Sequence, residues 1–299
     1  MAQTSSQAGA IGQSMEAFAD RIYDETEGKY KIETYHNGQL GAEIDTIEGC
    51  QMGTIDIAVV NQSTIGNFIN DFQALDIPYL ITSTEQADAV FLGDIGTRFL
   101  DKLSGVQLYG LGIWESGFRN LTNSKRDVNS VDDVAGLKIR TMENSYHLAF
   151  WKAIGANPTP MSFSEVYIGL QQHTIDAQEN PYEVIVSNNL YEQQDYVVET
   201  NHLPHLISLI VNDDFFRDLP EDEQEIMTEA AKIATEYARE QSDARIADKI
   251  ATIEESGTKI LTLDDQTREE IREASKSVYA SIKENIDPAI YNAYMDGIE

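Results

Sequence analysis

Cysteine, basic side chains and long apolar runs are all scarce in this sequence of 299 residues. Cys50 is the only cysteine, so the chain can form no internal disulfide and no thiolate metal cluster. No apolar run approaches the ~18 residues of a membrane-spanning helix. We therefore predict no stable insertion into a membrane.

The shortage of basic residues is matched by an excess of acidic ones. Lysine and arginine number 21 and aspartate and glutamate number 51, which gives a formal net charge of -30. Binding to nucleic acid needs a basic face that neutralises phosphates, so nucleic acid is excluded as a partner. The acidity itself has two open interpretations, a well-solvated surface or adaptation to high salt.

Sequence motifs for a reaction or a cofactor are also missing. The chain has no Gly-x-Ser-x-Gly elbow, no His-Glu-x-x-His pair and no Gly-x-x-x-x-Gly-Lys loop. Gly110 and Gly112 begin a dinucleotide-like loop, but Glu115 replaces its third glycine and would repel a pyrophosphate. His202 and His205 have no carboxylate or cysteine at metal-ligand spacing. We predict no enzymatic activity, no cofactor and no metal.

Helix-like and strand-like patterns alternate along the chain. Four side chains fall on one face of a helix predicted for 14–27, namely Met15, Phe18, Ile22 and Tyr23. The alternation favours an α/β fold with largely parallel sheets covered by helices. The stretch 221–255 favours helix throughout and is long enough to run across two lobes. Another helix is predicted for 44–52, and strands for 30–36, 54–60, 106–113, 137–141, 174–178, 196–200 and 206–212.

Two arginines stand in polar settings beside predicted strands. Arg119 lies in Trp114-Glu-Ser-Gly-Phe-Arg-Asn120, and Arg140 ends Gly136-Leu-Lys-Ile-Arg140. A planar guanidinium grips a carboxylate through two parallel hydrogen bonds, and ligands bind at the ends of parallel strands. Either arginine could instead form an ion pair inside the protein, and the local sequence leaves both alternatives open. A small organic anion is the predicted ligand.

Three further residues have side chains that could contact the ligand or belong to the core. Asn180 follows a predicted strand and precedes Pro181, and its amide offers both a donor and an acceptor for a hydroxylated acid. Phe163 fits a pocket wall or the core. Trp114 is interpreted as a core residue.

At these positions the chain resembles the substrate-binding proteins of tripartite ATP-independent periplasmic (TRAP) transporters. Members of that family bind C4-dicarboxylates, sialic acid, sugar acids and ectoine. The similar segments occur in family order and cover essentially the whole chain. They are Asn37-Gly-Gln-Leu-Gly41, Gly117-Phe-Arg-Asn-Leu-Thr-Asn123, Gly136-Leu-Lys-Ile-Arg140, Gly155-Ala-Asn-Pro-Thr-Pro-Met161, Phe163-Ser-Glu-Val-Tyr167, Leu170-Gln-Gln172 and Gln178-Glu-Asn-Pro181.

The resemblance implies a two-lobed fold that closes on its ligand like a hinged trap. Each lobe is expected to be a mostly parallel sheet flanked by helices, with a long helix spanning both lobes. Lobe I is expected to comprise 1–116 and 206–245, and lobe II 117–205 and 246–299. The resemblance also implies a periplasmic monomer whose sequence here begins after a secretory leader and part of the first strand.

The resemblance also implies which residues hold the ligand. Arg140 is expected to bind the carboxylate with support from Arg119, and Asn180 to position the acid. Asn61 and Thr64 stand where sialate-binding members carry a glutamate and an arginine, which argues against sialate. The full set of expected ligand-binding residues is Arg140, Arg119, Asn180, Phe163, Glu143 and Gln3.

Glu143 and Asn180 suit the hydroxyl groups of a sugar acid, so a uronate or an aldonate is the preferred ligand. A C4-dicarboxylate or a keto acid is the alternative. The expected partner is a sodium-driven TRAP permease in the membrane. A periplasmic sensor that reports ligand occupancy to a signalling receptor would use the same closed surface, and the sequence does not separate the two.

Overall fold

The computed structural model describes residues 1–298, apart from the side chains of residues 242 and 243. Helices and strands alternate along this part, as predicted. The strands are β1 (Ile57–Asn61), β2 (Leu108–Phe118), β3 (Asn120–Asn123), β4 (Lys138–Thr141), β5 (Asn157–Pro160), β6 (Ala177–Asn180), β7 (Tyr196–Glu199), β8 (Pro204–Asn212) and β9 (Lys259–Thr262). The helices are α1 (Ala10–Glu25), α2 (Glu43–Gln51), α3 (Gln62–Ile65), α4 (Thr84–Phe91), α5 (Asp94–Lys102), α6 (Val131–Val134), α7 (Ser145–Ala153), α8 (Phe163–Gln171), α9 (Tyr182–Ser187), α10 (Asp213–Asp218), α11 (Glu221–Ala244), α12 (Ile246–Glu255), α13 (Asp265–Ala274), α14 (Lys276–Asn285) and α15 (Pro288–Asp296). Three short 3-10 helices cover Asn70–Asp76, Leu103–Val106 and Leu190–Gln193.

The first sheet has β8 at its centre, with β1 and β2 paired antiparallel on either side. The predicted parallel pairing is wrong for these three strands. The chain passes from β2 into the second sheet and comes back from the second sheet into β8. β2 and β8 therefore run in opposite directions. Ala2 adds short parallel bridges to Tyr35 and Ala58, and the strand predicted for 30–36 is reduced to this bridge at Tyr35.

The second sheet is mixed, with the strand order β5-β4-β6-β3-β7-β9. β4 is parallel to β5 and β6, and β7 is parallel to β9, as the alternation of helices and strands predicted. β3 is antiparallel to both of its neighbours, which again corrects the prediction. β3 follows β2 directly, without the helical connection that joins parallel neighbours in a sheet.

The chain crosses between the sheets at two segments that lie side by side. Arg119 joins β2 to β3, and its backbone N–H donates to the carbonyl of Leu203, just before β8, at 2.9 Å. β2 is irregular between Glu115 and Phe118, where Gly117 adopts a φ of 88°. This left-handed backbone is open to glycine at little cost. The irregularity re-aims the strand and places Arg119 between the two sheets.

The helix predicted for 221–255 is two helices. α11 packs on α1 and on β2 of the first sheet, whereas α12 packs on α9 and on β9 of the second sheet. The helix is interrupted at Arg245, with φ -109° and ψ 6°, because each half packs on a different lobe. The backbone therefore crosses between the lobes a third time at this residue.

Buried apolar side chains form a core on each side of the crossing segments. Trp114 packs with Phe18 and Ile22 beneath the first sheet, which confirms its interpretation as a core residue. A second core extends from Phe72 to Trp151 and joins the sheets to the C-terminal helices. Within residues 1–298, no helix is both long and apolar enough to cross a bilayer.

Candidate ligand-binding site

A small cavity lies where the two sheets meet, and it has polar and charged walls. The volume open to the centre of a water molecule is about 30 Å³, roughly enough for two or three water molecules. Both lobes contribute to its lining. The lining residues are Thr4, Ser5, Glu43, Asn61, Arg119, Arg140, Met142, Phe163, Asn180, Val184 and His205.

Arg119 lies at the crossing from β2 to β3 and is only 1% exposed. Its Nε donates to Oε2 of Glu179 at 2.5 Å, and its Nη2 donates to Oε1 of Glu179 at 2.8 Å. Nη2 also donates to the carbonyl of Glu179 at 2.6 Å. The ion pair foreseen as an alternative is therefore present. It uses two of the three guanidinium nitrogens and leaves Nη1.

Arg140 lies near the end of β4 and is 3% exposed. Its Nε donates to the carbonyl of Met161 at 2.9 Å, and its Cζ lies 5.7 Å from the ring centroid of Phe163. Burial lowers the pKa of Arg140 to about 10, with the charge of Glu179 opposing the shift. The guanidinium therefore stays charged at neutral pH.

The two arginines converge on the cavity. In each of them Nη1 is buried and has no hydrogen-bond partner within residues 1–298, and both residues line the cavity. A buried donor without an acceptor costs about 1–3 kcal/mol, and more when it is charged. A carboxylate placed in the cavity would satisfy both donors at once. The arrangement is that of an anion-binding site.

Asn180 and Phe163 also reach the cavity, whereas Glu143 and Gln3 do not. Asn180 donates from Nδ2 to Oε1 of Gln178 at 2.6 Å and is buried in the cavity wall. The side chain of Glu143 is exposed. Gln3 is buried and contacts Nδ1 of His36 at 2.8 Å. The structure thus brings four of the six expected residues together.

A buried polar network fixes Arg119 from behind. His202 contacts Oε2 of Glu179 through Nε2 at 3.1 Å, and Nδ1 of His147 lies 3.8 Å from Oε1 of Glu179. Burial alone would raise the pKa of Glu179, but Arg119 and both histidines outweigh it and hold this pKa well below its usual value. An ionised Glu179 orients the guanidinium of Arg119 and balances its charge.

The network continues into the first lobe through Asp76. Nε2 of His147 lies 3.1 Å from Oδ1 of Asp76, and Nδ2 of Asn144 donates to Oδ2 of Asp76 at 2.8 Å. Burial opposes the charge of His147, but Asp76 outweighs burial and raises the pKa of this imidazole. The same asparagine caps α7 by accepting from the N–H groups of Tyr146 and His147. These contacts join the lobes directly behind the cavity.

Sequence reasoning missed three side chains at or behind the site. Glu179 lies inside the segment Gln178-Glu-Asn-Pro181, which drew attention to Asn180 instead. Glu43 lies two residues after Gly41 and lines the cavity. His205 also lines it, and burial holds its pKa well below the usual value, so its ring is neutral. The sequence offered one signal for the two glutamates: Glu179 lies inside a segment that resembles the TRAP family, and Glu43 lies just after another.

A larger groove lies away from this site. Its volume is about 600 Å³, and it runs beside Met1 between 30–35 and β1. Most of its lining is apolar, including Ile22, Ile32 and Ile57. The arginine pair does not reach it, so the small cavity is the candidate for binding an anion.

Comparison with known proteins identifies the family. A family model described as bacterial extracellular solute-binding protein, family 7, matches residues 1–285. The chain belongs to this family. The 2,3-diketo-L-gulonate-binding periplasmic protein of Escherichia coli K12 is 32% identical to this family 7 protein over 245 residues, which are 82% of this chain and 75% of the relative.

Two solved structures show the same fold. The sugar acid binding protein of Advenella mimigardefordensis, in complex with galactonate, superposes with a TM-score of 0.96 at 31% identity and covers 99% of this chain and 96% of its own. A TRAP periplasmic solute-binding protein of Sulfurospirillum deleyianum with bound succinate has a TM-score of 0.91 at 28% identity, covering 98% and 96%.

These findings confirm the predicted two-lobed α/β fold, the TRAP resemblance and the periplasmic location of this family 7 protein. The family consists of transport receptors and is not a family of enzymes. The roles of individual residues in binding stay predictions.

Proposed function

We propose that this protein binds an organic acid between its lobes and delivers it to a sodium-driven TRAP permease. The observation that carries the proposal is the pair of buried Nη1 atoms of Arg119 and Arg140, which have no hydrogen-bond partner in residues 1–298 and belong to two residues that line one cavity. Hydrogen bonds to charged groups contribute roughly 1.5–3 kcal/mol each. Two or three of them, with water excluded, approach the ~8 kcal/mol of micromolar binding.

The preferred ligand is a sugar acid such as a uronate or an aldonate. Arg140 binds the carboxylate with Arg119, Phe163 stacks beside the guanidinium, and Asn180 bonds a hydroxyl. Direct contact by Glu143 and Gln3 stays a prediction that the cavity does not support. The galactonate and diketogulonate of the two relatives favour this choice, and the succinate of the third keeps a C4-dicarboxylate or keto acid as the alternative.

We propose the lobes as 1–116 with 206–245 and 117–205 with 246–299. The crossing points at Arg119, just before β8 and at Arg245 support these bounds, whereas α15 packs on α5 and on the 3-10 helix Asn70–Asp76, which the bounds assign to the first lobe. Contacts between the lobes include Nδ2 of Asn67, which donates to the carbonyl of Glu143 at 2.7 Å. The ligand touches both lobes only when they are closed, so its binding favours closure.

In this proposal the protein is a monomer and does not convert its ligand chemically. A sensor that passes ligand occupancy to a signalling receptor is a second possible use of the same closed surface. A permease or a histidine kinase encoded next to this protein would distinguish the two uses. Recovery of chemically unaltered ligand from the purified protein would exclude an enzyme.

Calorimetric titration with a panel of acids tests the proposal. Wild type should bind at least one sugar acid with micromolar affinity, and Arg140→Ala should weaken this affinity by about 100-fold or more, the value of roughly two charge-assisted bonds. Arg21→Ala is the matched control, because Arg21 forms an exposed ion pair with Glu25 on α1. Full affinity in the Arg140 variant would refute the central role of this arginine.

A further inference from the structure

Glu43 is a charged side chain in the cavity that neither the arginines nor the buried network explains. It is the first residue of α2 and belongs to the first lobe, whereas Arg140 belongs to the second. Its Oε1 accepts from the backbone N–H of Asn61 at 3.1 Å, and its Oε2 accepts from Oγ1 of Thr64 at 2.6 Å. These two bonds fix the carboxylate at the cavity wall.

The fixed carboxylate can still accept further hydrogen bonds. An ionised carboxylate has about four acceptor positions and no donor. The contacts with Asn61 and Thr64 use one position on each oxygen. The remaining positions can receive a hydroxyl or another donor from the ligand, whereas a second ligand carboxylate has no proton to give.

The charges around the cavity also favour a ligand with a single carboxylate. The lining carries two positive side chains, Arg119 and Arg140, and one negative side chain, Glu43. Glu179 already balances Arg119 through two hydrogen bonds. Glu43 therefore balances the remaining positive charge, and one ligand carboxylate uses the free donors. The four charges sum to zero, so one ligand carboxylate brings the sum to -1, and a second would bring it to -2 in a buried site, where charge is costly.

Burial supports this interpretation. Desolvation raises the pKa of Glu43 above its usual value, although Thr64, Asn61 and Arg140 oppose the shift. The surroundings of Glu43 thus already disfavour negative charge, and a second anion would meet the same penalty.

We propose that Glu43 is a specificity-determining residue that selects hydroxylated monocarboxylic acids and rejects dicarboxylic acids. The inference rests on the proposed function. It assigns the carboxylate of the ligand to the arginine pair and a hydroxyl of the ligand to Glu43. Rejection of the wrong ligand by like charge is a general route to specificity.

Paired acids that differ only at one end test the proposal. D-galactonate and galactarate share a carbon chain, and so do D-erythronate and meso-tartrate; in each pair a terminal CH2OH becomes a carboxylate. Wild type should bind the monocarboxylate of a pair at least about 30-fold more tightly, because placing like charges together in a binding site is costly. Glu43→Gln keeps the size of the side chain and removes its charge. This variant should reduce the ratio of the two affinities in a pair by about tenfold or more.

Glu48→Gln is the matched control, because it makes the same substitution at an exposed position of α2. Calorimetry gives the affinities, and thermal unfolding shows whether each variant is folded. Equal affinity of wild type for both members of a pair, or an unchanged ratio in a folded Glu43→Gln protein, would overturn the role of Glu43 and leave the proposed function standing. Binding of no acid at all by wild type would overturn both.

Discussion

A contact between α1 and α9 predicts how the lobes are held closed. Oε1 of Glu183 accepts from the backbone N–H of Ala10 at 2.6 Å, and Ala10 is the first residue of α1. Glu183 also pairs with Lys249, and both side chains are nearly buried. With the lobe bounds proposed above, Ala10 belongs to the first lobe and Glu183 to the second, so we expect this contact to form only when the lobes close.

The size of the effect follows from the type of bond. A carboxylate that accepts from a helix N-terminus contributes about 1.5–3 kcal/mol, including its interaction with the helix dipole. If closure loses roughly 2 kcal/mol, ligand affinity should fall about 30-fold in Glu183→Ala. Glu183→Gln keeps an acceptor oxygen and loses the charge, so we expect a loss of about fivefold, near 1 kcal/mol.

Gly9 offers an independent perturbation of the same contact. Its φ of -74° is open to any residue, so a substitution acts through its bulk. A Cβ at this position would lie 2.9 Å from Oε1 of Glu183 and 3.3 Å from Cβ of Ser187. Gly9→Val should therefore hold the lobes apart, weaken ligand binding and leave the fold of each lobe intact.

Calorimetry with D-galactonate measures the affinity, and small-angle X-ray scattering with and without the ligand measures closure. Glu192→Gln is the control, since Glu192 is exposed and bonds Tyr167 within the second lobe at 2.7 Å. The Glu183 variants also lose the ion pair with Lys249, so we expect a lower unfolding temperature. The titrations are therefore made well below the unfolding temperature of each variant. Wild-type affinity in both Glu183→Ala and Gly9→Val would refute the link between this contact and closure.

Two further predictions concern the network behind the cavity. Glu179→Gln leaves the buried charge of Arg119 uncompensated, so we expect a loss of about 3–5 kcal/mol in the free energy of unfolding, measured by urea denaturation; a loss below 1 kcal/mol would contradict the buried pair. The pKa of His147 is raised in the folded state by Asp76, so its stabilisation is complete below the usual value of 6.5 and disappears as pH rises through the raised pKa. Thermal unfolding across pH should show this alkaline loss in wild type and not in His147→Gln.

The local features of the fold and the site could be predicted from the sequence. The spacing of Met15, Phe18 and Ile22 placed a helix over 14–27, and the structure has it at Ala10–Glu25. Arg140 was expected beside a strand, and the structure has it in β4, shortly before α7. These signals depend on a few neighbouring residues, so they survive in a single sequence.

Features that depend on distant pairing could not be predicted. The antiparallel pairing of β3 depends on where the chain crosses between lobes, which no local pattern records. The interruption at Arg245 occurs without glycine or proline, because two packing surfaces decide it. Glu143 precedes the cap of α7 by one residue, and its side chain is exposed while its neighbour Met142 lines the cavity.

Arg119 shows why the sequence left its two interpretations open. A guanidinium has five N–H donors, and an ion pair with one carboxylate uses only some of them. Glu179 occupies Nε and Nη2, while Nη1 is buried without a hydrogen-bond partner in residues 1–298, so the ion pair and the proposed binding role use different nitrogens of one side chain. Choosing between the two from local sequence was therefore not possible.

The same reasoning explains how a protein of net charge -30 can bind an anion. Charges on a solvated surface are screened over about 8 Å at physiological salt, so most of the 51 acidic residues have little effect inside the cavity. Charges in a buried site are screened much less, so Arg140 and Arg119 dominate there. Their balance with Glu179 and Glu43, and not the overall charge, decides which acid is held. A single glutamate in the cavity wall can therefore change specificity where many surface glutamates cannot.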